Sequence, residues 1–303
     1  MSMKIAQFVL ILMVSPFLFG VINRTKAFFA GRKGAPLFQF YYDIVKLLRK
    51  GAVYSASTTW IFIAGPMVSL SAVIIASLII PFAGRPSIIT FDGDIVLFFY
   101  LLGLARFFTC LAALDTGSSF EGMGASREVQ FAVFAEPALF VSLAVLARLT
   151  GKSSLTDIFG SPQIHSWVSY GPLLCLALAA LFIVFLAENS RIPVDDPNTH
   201  LELTMIHEVM VLDHGGVDFA YILYGAAIKF WILGSLLTGI IFKGSSYGWG
   251  VDTFIFIVLM VLLAVIVGVV ESTLARLRLL KVPHFLLVAL SLSLVAFIIS
   301  LRQ

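Results

Sequence analysis

Residues 254–270 have the sequence FIFIVLMVLLAVIVGVV, a run without a charged side chain. A helix rises about 1.5 Å per residue and the hydrocarbon core of a bilayer is about 30 Å thick, so runs of nearly this length span a membrane as helices. Comparable runs recur along the chain, and the predicted spans are 5–22, 60–82, 95–114, 129–146, 168–187, 219–242, 254–270 and 285–301. The sequence therefore predicts an all-α fold, a polytopic membrane helix bundle with about eight transmembrane helices and amphipathic interfacial helices.

The composition excludes an ordinary water-soluble domain, because 60% of the residues are hydrophobic and only 12% are charged. The apolar/polar alternation of barrel strands is not visible. The first apolar run follows Lys4 without a small-residue cleavage site, so we interpret it as a retained helix. The polar segments near 23–59 and 188–218 are too short to form separate domains, and residues 1–303 are predicted to form a single integral membrane domain.

Basic residues are distributed unevenly between the two sides of the predicted bundle. The loops after the first, third, fifth and seventh spans hold twelve of them: Arg24, Lys26, Arg32, Lys33, Lys46, Arg49, Lys50, Arg127, Arg191, Arg276, Arg278 and Lys281. The other side holds six: Lys4, Arg85, Arg148, Lys152, Lys243 and Arg302. The positive-inside rule places the first group in the cytoplasm and both termini outside.

The first loop contains an amphipathic segment at 39–50. Phe40, Ile44, Leu47 and Leu48 recur at helical spacing opposite basic residues, which favours a short helix in the membrane interface. A solvated basic loop is the alternative.

Charged residues within the apolar runs indicate functional positions, since they are costly in a membrane. Glu136 lies in the fourth span and is followed by Pro137, while Arg106 and Lys229 lie in the third and sixth spans. We expect these two cations to be partners for such carboxylates. A neutral Glu136 bonded to a neighbouring helix is the structural alternative, and it would still leave a proton acceptor in the membrane.

The segment 188–218 is the densest polar region. It contains seven acids and one arginine: Glu188, Arg191, Asp195, Asp196, Glu202, Glu208, Asp213 and Asp218. An Asp-Pro start and a Gly-Gly stop predict a non-spanning helix over 197–213. Its predicted buried stripe consists of Leu201, Met205, Val209 and Leu212.

Metal and nucleotide sites are not supported. His200, His207 and His214 are spaced by seven residues, about 10.5 Å along a helix, which is long for a shared ion. Cys110 and Cys175 do not form a CxxC pair, so an iron–sulfur cluster is not expected in this chain. The glycine-rich segment 113–128 lacks phosphate-loop spacing, and the structural interpretation of its end is that Ser126, with Glu128 in the next turn, caps the fourth span.

Two of the polar segments resemble the complex I subunit 1 family. Residues 187–197, AENSRIPVDDP, with His200-Leu201-Glu202-Leu203, are similar to that family's A-E-x-x-R-x-P-x-D-x-P…E-L loop. The first loop resembles its R-x-G-x-P-x-x-Q-x-x-x-D-x-x-K-L pattern through Arg32, Gly34, Pro36, Gln39, Asp43, Lys46 and Leu47. The segments 113–128 and 197–208 look like the hydrogenase branch, which includes formate hydrogenlyase and membrane-bound NiFe hydrogenases.

The resemblance implies a non-catalytic subunit in a bacterial or archaeal inner membrane. Its expected partners are hydrogenase large and small subunits, iron–sulfur subunits and antiporter-like membrane subunits. The NiFe centre and the clusters would lie in those chains. The implied proton path or coupling residues are Glu136, Glu188, Arg191, Asp195, Asp196, Glu202, Glu208, Asp115, Arg106 and Lys229. The implied docking residues for the peripheral arm are Arg32, Gln39, Asp43, Lys46, Arg127, Glu128, His200 and His207.

Three other functions remain open at this point: a quinone-site subunit of a NADH or ferredoxin dehydrogenase, a cation transporter, and a purely structural anchor. The histidine-bearing segment departs from the quinone-branch sequence, which argues against a quinone pocket. Inverted repeats are not visible, which argues against a transporter. Intramembrane charges would be needless costs for an anchor.

Overall fold

The computed structural model describes residues 2–195, 206–244 and 248–302. Eight helices in these parts of the chain are long and apolar enough to cross a membrane. They are α1 (Ser2–Phe29), α3 (Trp60–Ile79), α4 (Asp94–Asp115), α5 (Ser119–Thr150), α7 (Trp167–Glu188), α8 (Gly216–Ile241), α9 (Trp249–Thr273) and α10 (Val282–Ser300). The shorter helices are α2 (Gln39–Leu48) and α6 (Leu155–Gly160). The predicted all-α membrane bundle is confirmed.

Helix α8 lies at the centre of the bundle. In its most apolar stretch 67% of the residues are buried, compared with 28–44% of the residues in the corresponding stretches of the other seven spans. It packs against α1, α2, α3, α7 and α9, while α10 packs on α5 and α7, and α3 packs on α4. A helix with neighbours on all sides is apolar around its whole circumference, as α8 is apart from one lysine, Lys229. Because other helices surround α8, Lys229 lies inside the protein rather than in lipid.

Four connections lie together on one side of the bundle, which we call the basic side: 30–59, 116–118, the described residues 189–195 and 206–215, and 274–281. Both ends of the described chain lie on the opposite side, together with the connections 80–93 and 151–166 and residues 242–244 and 248. An even number of spans places both termini on one side, as the sequence predicts. Which side faces the cytoplasm stays a prediction.

Helix α5 starts at Ser119 rather than at residue 129, which was the predicted start of the span. The polar residues 119–128 continue the helix because they find partners inside the protein: Glu121 accepts the backbone N–H of Asp213 at 3.2 Å, and Glu128 contacts Arg106. The predicted cap at Ser126 is wrong, since its hydroxyl donates to the Met123 carbonyl within the helix.

Helix α2 confirms the predicted helix in the first loop. Phe40, Ile44 and Leu47 are half-buried, and Phe40 stacks on Phe19 of α1 with ring centroids 4.9 Å apart. Leu48, expected on the same face, is exposed at the end of the helix.

The predicted helix over 197–213 lies partly outside the described residues. Its described part forms one 3₁₀ turn over Glu208–Val211, so a continuous helix to 213 is wrong there. Val209 is buried as expected, whereas Leu212 is exposed and does not belong to the buried stripe.

A buried charge network as the candidate functional site

Arg106 connects three carboxylates from two other helices. Helix α4 places it nine residues before Asp115, roughly 13 Å inside the basic end. Its Nε donates to Glu128 Oε1 at 3.1 Å, while Nη1 and Nη2 donate to Glu136 and Glu188. The fork of a guanidinium suits this arrangement, because its donors point in several directions within one plane.

Lys229 of α8 completes the network. Its Nζ lies 2.8 Å from Oε2 of Glu188, whose side chain is only 3% exposed. Glu188 therefore lies between two cations. Arg106 and Lys229 thus contact carboxylates inside the bundle, as the sequence predicts. We call Arg106, Glu128, Glu136, Glu188 and Lys229 the charge network.

The charge network has one more acid than base. Three carboxylates and two cations carry a net charge of minus one when all are ionised, and zero when one carboxylate holds a proton. In a medium of low dielectric constant the neutral total is favoured, since uncompensated charge is costly there. The network therefore contains one carboxylate that its two cations do not balance.

Glu136 reaches from the charge network to the outer surface of the bundle. Its side chain is 50% exposed even though Arg106 binds it. It also lines a groove of about 480 Å³ between α4 and α5, together with Tyr100, Gly103 and Phe107. The network thus connects the interior with the surface that faces lipid or a partner subunit.

Two adjoining cavities surround the buried end of the network. The larger, of about 80 Å³, is lined by Ser69, Thr109, Arg106, Glu188, Lys229 and His207, among others. The smaller, of about 20 Å³, extends from Arg106 and Glu128 to Asp195. A water needs about 10–15 Å³ of such volume, so the larger cavity has room for several waters between these polar groups.

Glu188 ends α7 at the depth of the network, and the chain then stays inside the protein. All residues from Arg191 to Asp195 are buried. Asp195 accepts the backbone N–H of His207 at 3.1 Å and binds Arg276 at 2.8 Å, which fixes the loop against the chain after α9. Non-helical backbone at this depth is tolerated where protein covers it.

Arg191 and Lys26 share a second buried acid, Glu271. Arg191 Nη1 lies 3.3 Å from Glu271 Oε1, and Lys26 Nζ lies 2.9 Å from Oε2. The guanidinium of Arg191 also stacks over Phe19, 4.3 Å from the ring centroid. The sequence analysis missed Glu271 because this residue directly follows the predicted seventh span. A carboxylate at the end of a span is costly, as Glu136 is within a span, and this cost is the signal that could have identified Glu271.

Two histidines of the basic-side loop lie inside the protein to different extents: His214 is buried and His207 is half-buried. Burial lowers the pKa of His207, which lines the larger cavity. The ring of His214 stacks on Phe62 with centroids 3.9 Å apart, and burial lowers the pKa of His214 to about 4. The ring of His214 is therefore neutral at physiological pH.

The remaining predicted residues lie elsewhere on the basic side. Asp115 caps α3 by accepting the N–H groups of Thr59 at 2.7 Å and Phe62 at 3.2 Å, apart from the charge network. Gln39 donates to Asp43 at 2.9 Å within α2, and Arg32 and Lys46 are exposed. The following residues also belong to this side: Arg127 at the start of α5 and Glu208 in the 3₁₀ turn. Asp196, His200 and Glu202 lie outside the described residues.

The described parts of the chain contain no group of three or more His, Cys, Asp or Glu side chains that could hold a metal ion.

Residues 3–301 match the family model described as NADH dehydrogenase. The chain is 30% identical to hydrogenase-4 component C of Escherichia coli K12, over 97% of this chain and 94% of the relative. It is 29% identical to formate hydrogenlyase subunit 4 of the same organism, over 96% of each chain. It is 28% identical to a subunit of the NADH-quinone oxidoreductase of Rubrobacter xylanophilus, over 59% of this chain and 54% of the relative.

A similar fold occurs in the solved membrane-bound sulfane sulfur reductase, an archaeal respiratory membrane complex. The TM-score is 0.85, with 20% sequence identity, over 98% of each chain. This likeness shows the fold, and the fold alone does not select the redox reaction.

Proposed function

The chain belongs to the NADH dehydrogenase family, which is the complex I subunit 1 family, and from this we propose that it is a membrane-anchor and proton-handling subunit of a multi-subunit energy-converting NiFe hydrogenase. In this proposal it docks the peripheral hydrogenase module and couples that module's redox reaction to ion translocation. Two relatives that are matched over 94–96% of their own length are named as parts of hydrogenase systems, which favours this branch.

The charge network is the observation that carries the proposal. Five ionisable side chains from α4, α5, α7 and α8 meet inside a membrane bundle, with cavities for water beside them. A structural anchor does not need charges at this depth, where each one is costly. A single exchangeable proton on three coupled carboxylates is the expected property of a relay.

Electrostatics over a moderate distance suffices for the coupling. At an effective dielectric constant of about 20, one electron charge at about 15 Å changes the energy of a second charge by about 1 kcal/mol. That change alters proton occupancy about fivefold. A redox centre docked on the basic side can therefore change the protonation of the network without a large movement of the helices.

We propose that the docking surface lies on the basic side. It includes Arg32, Gln39, Asp43, Lys46 and Arg127, and the loop that carries His207. Glu128, predicted for docking, contacts Arg106 instead, and we propose it as a member of the charge network.

The decisive variant is Glu188→Gln, compared with Asp92→Asn on the opposite side. The complex is purified through a tag on this chain, and nickel, hydrogen evolution and proton translocation into vesicles are measured. We expect Glu188→Gln to keep nickel but to lower proton translocation at least about tenfold, because Arg106 and Lys229 lose the anion between them and the proton occupancy of the coupled acids Glu128 and Glu136 changes with that charge. Asp92→Asn, which also replaces a carboxylate by an amide, is expected to behave as wild type.

Other results of this experiment lead to other assignments. Bound quinone without nickel would identify the chain as a quinone-site dehydrogenase subunit, the alternative favoured by its similarity to the NADH-quinone oxidoreductase subunit of Rubrobacter xylanophilus. Full coupled activity in Glu188→Gln and in Glu136→Gln would leave only an anchor.

A further inference from the structure

A groove on the basic side lies between the ends of α1 and α9. Its volume is about 520 Å³. Its lining combines three basic residues, Arg24, Arg32 and Lys33, with an apolar floor. The charge network does not include any of these residues.

The groove is strongly positive. None of its lining residues is acidic, and no ion pair involves Arg24, Arg32 or Lys33 within the described parts of the chain. The nearby acid Glu271 is buried and engaged by Lys26 and Arg191, so it does not offset the charge of the groove. An anion is the ligand that this mouth favours.

The floor of the groove is apolar and extends to membrane depth. Phe28 is 79% exposed, and Val265 and Val269 of α9 are half-buried beside it. Val265 lies eight residues before Thr273, so the floor extends roughly 12 Å inside the end of α9. A free anion would use the mouth and leave this floor uncovered.

We propose that this groove binds an anionic phospholipid, with its phosphate at Arg24 and Lys33 and an acyl chain along Val265 and Val269. Cations at a helix end attract anionic headgroups, and an apolar channel below them fits a hydrocarbon tail. The groove shares Arg32 with the proposed docking surface but has no residue in common with the charge network, so the lipid site can be tested separately from proton handling.

Photo-crosslinking tests the occupant directly. A photoreactive Phe28→p-benzoylphenylalanine replacement is introduced into the full complex, which is placed in vesicles of equal phosphatidylglycerol and phosphatidylcholine. We expect adducts to phosphatidylglycerol to exceed those to phosphatidylcholine by about tenfold. The same replacement at Phe254, an exposed residue at the other end of α9, is expected to show no preference.

Two further variants separate headgroup from tail. Arg24→Gln with Lys33→Gln is expected to abolish the preference, whereas Arg49→Gln with Lys50→Gln, a matched loss of one Arg and one Lys on the same side, keeps it. Val265→Trp fills the floor without changing charge and is expected to lower the phospholipid adduct.

Several outcomes would overturn the proposal. These are equal labelling of the two lipids, an adduct to a partner protein, an equal effect of the Arg49 and Lys50 pair, or competition by inorganic phosphate with no effect of Val265→Trp. The last would indicate a site for a free anion. Hydrogen evolution measured on the same vesicles reports the proposed function separately.

Discussion

At the scale of single residues, Arg106 is the side chain on which the charge network depends. It binds carboxylates from both α5 and α7, so its loss leaves three acids facing Lys229 alone. The acids would then have to take up protons or repel each other inside the bundle.

We expect Arg106→Gln to destabilise the protein by about 3–5 kcal/mol, the range found when one partner of a buried ion pair is removed. Thermal unfolding of the purified protein in detergent measures this change. Arg49→Gln, at an exposed arginine that follows α2, is the control and should lie within about 0.5 kcal/mol of wild type. Equal melting of the two variants would contradict a structural role for the network.

His214 gives a second prediction, which concerns pH. Its folded pKa of about 4 lies below the ordinary value of about 6.5, so between these values the unfolded chain binds a proton that the folded chain does not. Stability should therefore fall as pH decreases from about 6.5 to about 4. His214→Phe keeps the stacked ring and should flatten this part of the melting profile, whereas the exposed His284→Phe should not. An unchanged slope in His214→Phe would assign the acid sensitivity to other groups.

At the scale of helices, α1 and α9 approach each other closely at Gly268. A Cβ added there would lie 2.7 Å from Cβ of Thr25, and a backbone carbonyl lies 3.2 Å away at Ile22. Small residues permit such close packing of membrane helices. This contact also holds the part of α1 that carries Lys26 to Glu271.

Gly268→Ala is therefore expected to cost about 1–3 kcal/mol, because the added methyl group overpacks the contact. The matched variant is Gly103→Ala in α4, where nothing lies within 4 Å of the added Cβ. There alanine should be neutral or stabilise the helix by up to about 1 kcal/mol. Chemical or thermal unfolding compares the pair, and a result of the same sign for both would remove the steric explanation.

At the scale of the whole molecule, the eight spans follow from the sequence because a membrane selects apolar runs directly. Glu136 was found in the same way, as an acid within an apolar run. Glu128 and Glu271 were not recognised as buried partners, since each lies just beyond the end of a predicted span. The ion pairs themselves depend on which helices are neighbours, and residues such as Arg106 and Glu188, which are 82 positions apart, show no local signal of their contact.

The orientation of the whole bundle is predicted by the excess of basic residues on one side. In a Cys175→Ser background, an impermeant maleimide should label Lys4→Cys and Arg302→Cys in intact spheroplasts. It should label Arg49→Cys only after lysis, because that residue is predicted to face the cytoplasm. Labelling of Arg49→Cys in intact cells would reverse the assignment.

The early end of α7 has a consequence for voltage. Polar loop residues and a cavity reach the depth of Glu188, so the insulating part of the protein lies mainly between the charge network and the opposite side. Most of the transmembrane potential then falls across that shorter distance. A proton that leaves the network toward the opposite side moves through most of the field, at about 2.3 kcal/mol per 100 mV, whereas one that arrives from the basic side crosses little of it. If the charge network carries protons, as proposed, the membrane potential therefore acts mainly on the part of their route between the network and the side opposite the basic side.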